Sequence, residues 1–286
     1  MNDETKKQES SASEATSGSL LDELLASTKV KPGGESYDIT KQGIQTFITS
    51  LLEPGRITDK VTAGLADEMI ADLDKKLCKQ VDEILHNSDF QRLESSWRSL
   101  KFLIDKTNFR ENIKIEMMNV SKDDLLSDFE DSPEITKSGL YKNSYTAEYG
   151  QFGGQPYGAI VGNYEFGPGS SDIKLLQFCA SVSAMAHAPF ISGVSASFFG
   201  LDDYTKLPDL KDLSSIFEGP QYTKWQGFRE SDDARNVGLV APHFLLRTPY
   251  GNDTTPSKKF NYEENVSEGH NKFLWGNAAF AFTTRL

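Results

Sequence analysis

The sequence predicts an α/β molecule, α+β over its whole length: a mixed or parallel sheet flanked by helices, with an N-terminal helical region and a disordered N-terminal arm. Three observations predict it. Apolar residues recur at the helical period between 37 and 107; from Ile113 short apolar runs alternate with helical ones; residues 1–18 carry hardly an apolar side chain. On this reading the chain divides into a flexible arm, 1–36, a helical region, 37–110, and an α/β domain, 111–286.

In the arm, SGSLLDELLASTK (17–29) encodes a short helix with Ser19 as its cap and Asp22 at the reciprocal position of a capping box. Leu20, Leu21, Leu24 and Leu25 line one side, but about ten residues are too few for a helix to stand alone in water. Ile44, Phe47, Ile48, Leu51 and Leu52 give a second helix, stopped by the EPG at 53–55. A longer one follows with Leu65, Met69, Leu73, Leu77, Val81 and Ile84 on a stripe. His86-Asn87 breaks it, and Ser88 with Gln91 is read as the capping box of a helix carrying Phe90, Leu93, Trp97, Leu100 and Ile104. These last two helices are expected to form a hairpin.

IKIEMMNV, from Ile113, reads as a strand, and Ser121 with Asp124 caps a short helix. Pro133 suits the first turn of another, striped by Leu140, Tyr141, Tyr145 and Tyr149 and closed at Gly150. Strand YGAIVGNY, a GPGSS turn, an almost wholly apolar helix from Asp172 to Ala186 and strand FISGVSA form the pattern of a crossover onto a parallel sheet. Short helices near Leu210 and Trp225 and a strand VGLVAP lead to a loop-rich stretch, 248–271. The final FLWGNAAFAFTTRL is apolar without a stop signal, so the chain reads as a truncated piece of something longer.

With 42 acidic and 30 basic residues the formal charge is −12, which argues against a generic nucleic-acid surface and leaves only local basic patches open. Cys78 and Cys179 lie far apart, outside any CxxC or Cys/His cluster; they suit a reducing cytosol and read as small buried hydrophobes. No apolar run reaches a membrane span and the N-terminus has no signal-peptide core, so a soluble, cytoplasmic molecule without membrane insertion is expected. The glycine-dense 150–169 stretch could cradle phosphate, but it lacks a following Lys-Ser/Thr and a GxGxxG; turns and close packing explain it better. GVSAS (193–197) begins like a nucleophile elbow near His187 but lacks the second glycine. His86, His187, His243 and His270 show no metal-ligand spacing. The acidic 123–131 run reads as a solvated helix face, and Trp97, Trp225 and Trp275 as core anchors. Nothing assembles an active site, which favours a structural or interaction protein that is not an enzyme and takes no cofactor.

Larger stretches carry a resemblance. DEILHNSDF, FQRLESSWRSLKFLIDKT, NIKIEMMNVSKDDLLSDFEDSPE, SGLYKNSYTAEYGQFGGQPYGAIVGNYEF and MAHAPFISGVS, then LPDLKDLSSIFEGPQYTKWQGFRESDDARNVGLVAPHFLLRTPYG and ENVSEGHNKFLWGNAAFAF, follow in order the large subunit of the type VI secretion contractile sheath, the TssC/VipB family. The likeness runs from about Gly18 to the end, with one local departure at His243, where relatives are expected to carry Arg. It implies a phage tail sheath-like fold and a non-enzymatic role. A smaller sheath subunit would pair with this one as a heterodimer, and neighbouring heterodimers would polymerise helically around an inner tube protein and contract to drive tube and spike outward. It further implies that the ClpV AAA+ ATPase recognises the N-terminal helix, through Leu20, Leu21, Asp22, Leu24 and Leu25, and recycles the sheath. Candidates for packing or assembly are Phe90, Leu93, Trp97, Leu100, Ile104 and Trp225, and the 61–107 helices and 30–60 arm are candidates for touching the small subunit. Relatives are expected to continue for roughly another two hundred residues, which implies an unfinished sheet in this chain with apolar faces such as Phe280 and Phe282 exposed. A truncated adaptor that binds ATPase or small subunit without polymerising is the alternative; a nucleotide-binding enzyme is a more distant one.

Overall fold

A computed structural model of the chain describes residues 42, 43, 46, 63–149, 151–258 and 260–286. The arm 1–36 lies outside these residues, as does most of the helix expected from Tyr37, of which Gln42, Gly43 and Thr46 are helical. The chain divides into two compact units, Met1–Leu73 and Asp74–Leu286.

Helix α1, Ala63–Leu85, ends where His86-Asn87 was expected to break it. The cap of α2, Ser88–Lys106, is Asn87 rather than Ser88: its side chain accepts from the N–H groups of Asp89 (3.0 Å) and Phe90 (3.3 Å). Asn87 has the extended backbone that a cap requires, whereas Ser88 is already helical. The expected hairpin does not close. Leu77 and Ile84 of α1 and Phe90, Leu93, Trp97 and Ile104 of α2 remain exposed, because α2 docks onto the body by another face.

Residues 112–121 run on without turn, bend or ladder, so IKIEMMNV is not a paired strand. It lies beside 155–164, tethered by side chains: Lys114 to Gln155 (2.5 Å), Tyr157 to Glu116, and the Tyr164 hydroxyl to the Val120 carbonyl (2.9 Å). A full tyrosine side chain in that gap holds the two backbones wider apart than the ladder spacing of about 4.8 Å. Helix α3, Lys122–Asp131, begins as expected at Ser121, whose hydroxyl accepts from Asp124 N–H at 3.0 Å. Leu125 and Phe129 are buried while most of its acidic residues face outward.

Helix α4 starts at Gly139–Tyr141, widens into a π turn at Lys142–Thr146 and finishes at Ala147–Tyr149. Its cap is Ser138, five residues beyond Pro133, and the Asp128 carboxylate accepts from Gly139 N–H at 2.6 Å. The expected tyrosine stripe is a stack, Tyr141 on Tyr145 at 5.0 Å and Tyr145 on Tyr149 at 4.8 Å.

Strand β1, Ile160–Phe166, helix α5, Ser170–Ala186, and strand β2, Phe190–Val194, realise the expected crossover, with β1 and β2 parallel. Helix α5 starts two residues before the expected Asp172 and ends at His187 in the left-handed region. Short helices α6, Leu213–Ile216, and α7, Thr223–Arg229, precede β3, Val237–Val240, which pairs with β2 in parallel. The sheet order is β1-β2-β3. Beyond it β4, Phe244–Leu245, pairs antiparallel with β5, Trp275–Gly276, across the loop-rich stretch, and α8, Ala278–Thr283, follows.

All five residues of β2 are buried. Its alternation explains why: Phe190 and Val194 join the α5-side core with Phe166, Leu176 and Cys179, while Gly193 turns to the other face, where a Cβ would lie 2.6 Å from the Asn277 amide at the head of α8. Helix α8 lies against all three strands. A register shift between Gly162 and Glu165 frees carbonyls that Ser192 Oγ (2.8 and 2.9 Å) and Asn277 Nδ2 (2.9 Å) satisfy. Phe280, expected outside, is buried on the inner face of α8, and Phe282 is exposed as expected.

Candidate assembly surface

Helix α2 has two apolar-capable faces, and the structure buries the less apolar one. Ser99 and Leu103 are buried, Ser95 Oγ donates to the Trp275 carbonyl at 2.6 Å, and Phe102 meets the Phe244 ring at 5.2 Å. Small serines let α2 approach β5 and α8 closely. The stripe on nearly the opposite side of the helix is left to solvent: Leu93 is 57% and Trp97 58% exposed, with Phe90 and Ile104 also outward and Leu100 half-buried. Trp97 is therefore not a core anchor. Trp225 does not join this stripe; on α7 it packs edge-on against Phe198 at 4.9 Å, half-buried like Trp275. The structure thus brings Phe90, Leu93, Trp97 and Ile104 onto one outward surface and sets Trp225 apart.

The turn between α1 and α2 is held to the body by charge. Arg247 lies between two carboxylates, with its Nη1 2.5 Å from Glu264 Oε2 and its Nε 3.1 Å from Glu94 Oε1. Arg98 Nε reaches the same Glu94 oxygen at 2.6 Å, and His86 Nε2 lies 3.3 Å from Glu264. Glu264 also accepts from Tyr250 N–H at 2.9 Å, and Arg247 stacks over the Tyr250 ring at 4.5 Å. Burial pushes the Glu264 carboxyl up, but hydrogen bonds from Arg247 and Tyr250 outweigh it and hold the group below its ordinary value. Burial likewise lowers Arg247, and its bonds to Glu264 and Glu94 reverse the shift. One helical face of α1 joins in: Cys78 Sγ contacts the Asn261 carbonyl (3.5 Å), and Asp82 accepts from Tyr262 (2.6 Å), whose hydroxyl is raised by burial and that bond. Sequence reading missed this network because the links that tie its two halves together, Arg247 to Glu94 and His86 to Glu264, join residues more than 150 positions apart, and no local pattern connects them.

The other candidates resolve into packing. At the GPGSS turn the Asp172 carboxylate accepts from Gly167 N–H (2.6 Å) and pairs with Lys122 (2.9 Å), so the protein's own anion occupies the head of α5. Gly162 admits the Phe190 ring, which would lie 2.7 Å from a Cβ there. Ser195 follows β2 and His187 precedes it, which places them at opposite ends of a five-residue strand, roughly 16 Å of chain. Cys179 is buried and its thiol is pushed up to about 12 by burial. His243 Nε2 lies 2.8 Å from Glu165, so this position faces a carboxylate. Among the described residues no three His, Cys, Asp or Glu side chains gather into a metal-sized cluster, and no helix is long and apolar enough to cross a membrane. Leu20, Leu21, Asp22, Leu24 and Leu25 lie outside the described residues.

Residues 67–286 match the family model of the VipB (EvpB/VC_A0108) tail sheath N-terminal domain. The chain is 38% identical over 260 residues to the type VI secretion system sheath protein TssC1 of Pseudomonas aeruginosa, covering 90% of this chain and 52% of that protein. It spans about half the length of that curated relative. The order of elements, the body and the two matches agree, and the chain belongs to the TssC/VipB family of type VI secretion sheath proteins.

Proposed function

We propose that this chain serves as a structural, non-catalytic subunit of a type VI secretion contractile sheath in the bacterial cytoplasm. It pairs with the small sheath subunit, and the heterodimers polymerise helically around the inner tube and contract to propel tube and spike. The observation that carries this reading is the outward stripe of α2, with Leu93 and Trp97 more than half exposed on a helix whose other face is docked. A contiguous exposed apolar face on a rigid body marks an interaction surface. Contacts of that kind that are heterologous and do not close on themselves generate a helical filament. Co-expression with the cognate small subunit, followed by negative-stain microscopy, tests it: tubules are expected, and a soluble complex without tubules would replace the sheath reading by the adaptor one.

The N-terminal leucines serve the second half of the cycle. Leu20, Leu21, Leu24 and Leu25, with Asp22 at the head of the helix, enter an apolar groove on the N-terminal domain of the ClpV ATPase, which takes contracted sheath apart. The support is their helical spacing in a segment too short to be stable alone. A peptide spanning 15–30 should bind that domain, and Leu24→Ala should weaken binding by a few kcal/mol if that leucine is an anchor, on the order of 2. Equal affinity of the two peptides in a titration would remove Leu24 from the interface.

A further inference from the structure

The unpaired stretch Ile113–Met117 has a self-complementary pattern. Residues 113–120 make no backbone–backbone hydrogen bond among the described residues, and the stretch is unbent. Ile113, Met117 and Met118 are exposed, at 44%, 66% and 48%. A row of free N–H and C=O groups beside exposed apolar side chains is a template for another strand. Its charges say which strand. We propose that two copies of this chain pair edge to edge, antiparallel, through Ile113–Met117 with Ile115 on the two-fold axis.

In that register Lys114 stands opposite the partner's Glu116, and Glu116 opposite the partner's Lys114. Ile113 and Met117 meet crosswise, and the two Ile115 side chains face each other. Opposite charges directly across an antiparallel pair are favourable, and apolar cross-strand pairs add to them. A parallel, in-register pairing would set lysine against lysine and glutamate against glutamate, so the sequence chooses the antiparallel arrangement. Lys114 and Glu116 are each already restrained by a bond to Gln155 or Tyr157 of the same chain, so fewer of their rotamers remain to be lost on pairing. The pair is isologous: it closes at two copies and cannot propagate, so it is distinct from the lattice contacts of a helical sheath. It goes beyond the sheath reading and does not depend on it.

Sedimentation equilibrium of the purified 286-residue chain across a concentration series tests the pairing. The wild type should associate to a dimer. Lys114→Glu alone and Glu116→Lys alone should each place like charges across the axis and shift the species to monomer, and the double swap Lys114→Glu/Glu116→Lys should restore the dimer. The double swap also loses the Gln155 and Tyr157 tethers, so its recovery separates pairing from folding damage. A monomeric wild type would overturn the proposal, as would a dimer indifferent to the single swaps or a double swap that stays monomeric.

Discussion

Glu264 shows how much one side chain does here. Its carboxylate is almost wholly buried (1% exposed) and takes hydrogen bonds from Arg247, with His86 beside it and Tyr250 N–H closing the site. Removing one partner of a buried pair leaves the other charged and unsolvated, so Glu264→Gln should cost roughly 3 kcal/mol in urea unfolding. The pH dependence follows from the lowered carboxyl. A group whose folded value lies below its ordinary 4.5 adds stability that is fully present above 4.5 and is lost as pH falls through the folded value. Wild-type stability should therefore fall more steeply below pH 4.5 than that of Glu264→Gln, measured by unfolding at a series of pH values. Little at this scale was legible beforehand. The Ser121 cap was, because a cap is a local hydrogen bond; the Arg247 network was not, because its partners meet only after the chain has folded back on itself.

Among the elements, α2 is the informative one. Its periodicity correctly predicts a helix but cannot say which stripe meets the body. Phe90, Leu93, Trp97 and Ile104 look like a core face, yet the docked face carries Ser95, Ser99 and Leu103. The difference has a measurable consequence. Leu103→Ala should lower stability by about 2–5 kcal/mol, as for a buried leucine, whereas Trp97→Ala should change it by about 0.5 kcal/mol or less. If the α2 stripe is the assembly surface, Trp97→Ala should nonetheless abolish tubule formation in the co-expression experiment. Unaltered tubules would move assembly to another face. The stretch 113–120 offers a parallel lesson: alternating apolar residues describe a strand, but a strand also needs a neighbour at ladder distance, and tyrosine side chains stand in that gap.

Across the whole molecule, stability should be uneven. All of β2 and the inner face of α5 are buried, whereas 251–258 and 260–263 are largely outside regular structure. In amide hydrogen exchange β2 and α5 should protect longest and 251–258 and 260–263 least; comparable protection in both would contradict this layering. The sequence by itself determined the α/β class, the strand–helix–strand crossover of β1, α5 and β2, most element ends and the family, because these rest on local periodicity, local caps and ordered motifs. Only the tertiary structure decided which face of α2 is left outward, that Phe280 is buried, and that Arg247, Glu264, Glu94 and His86 form one cluster. Those outcomes depend on which surfaces of distant segments pack together, and packing is a property of the folded body that no local window of residues contains.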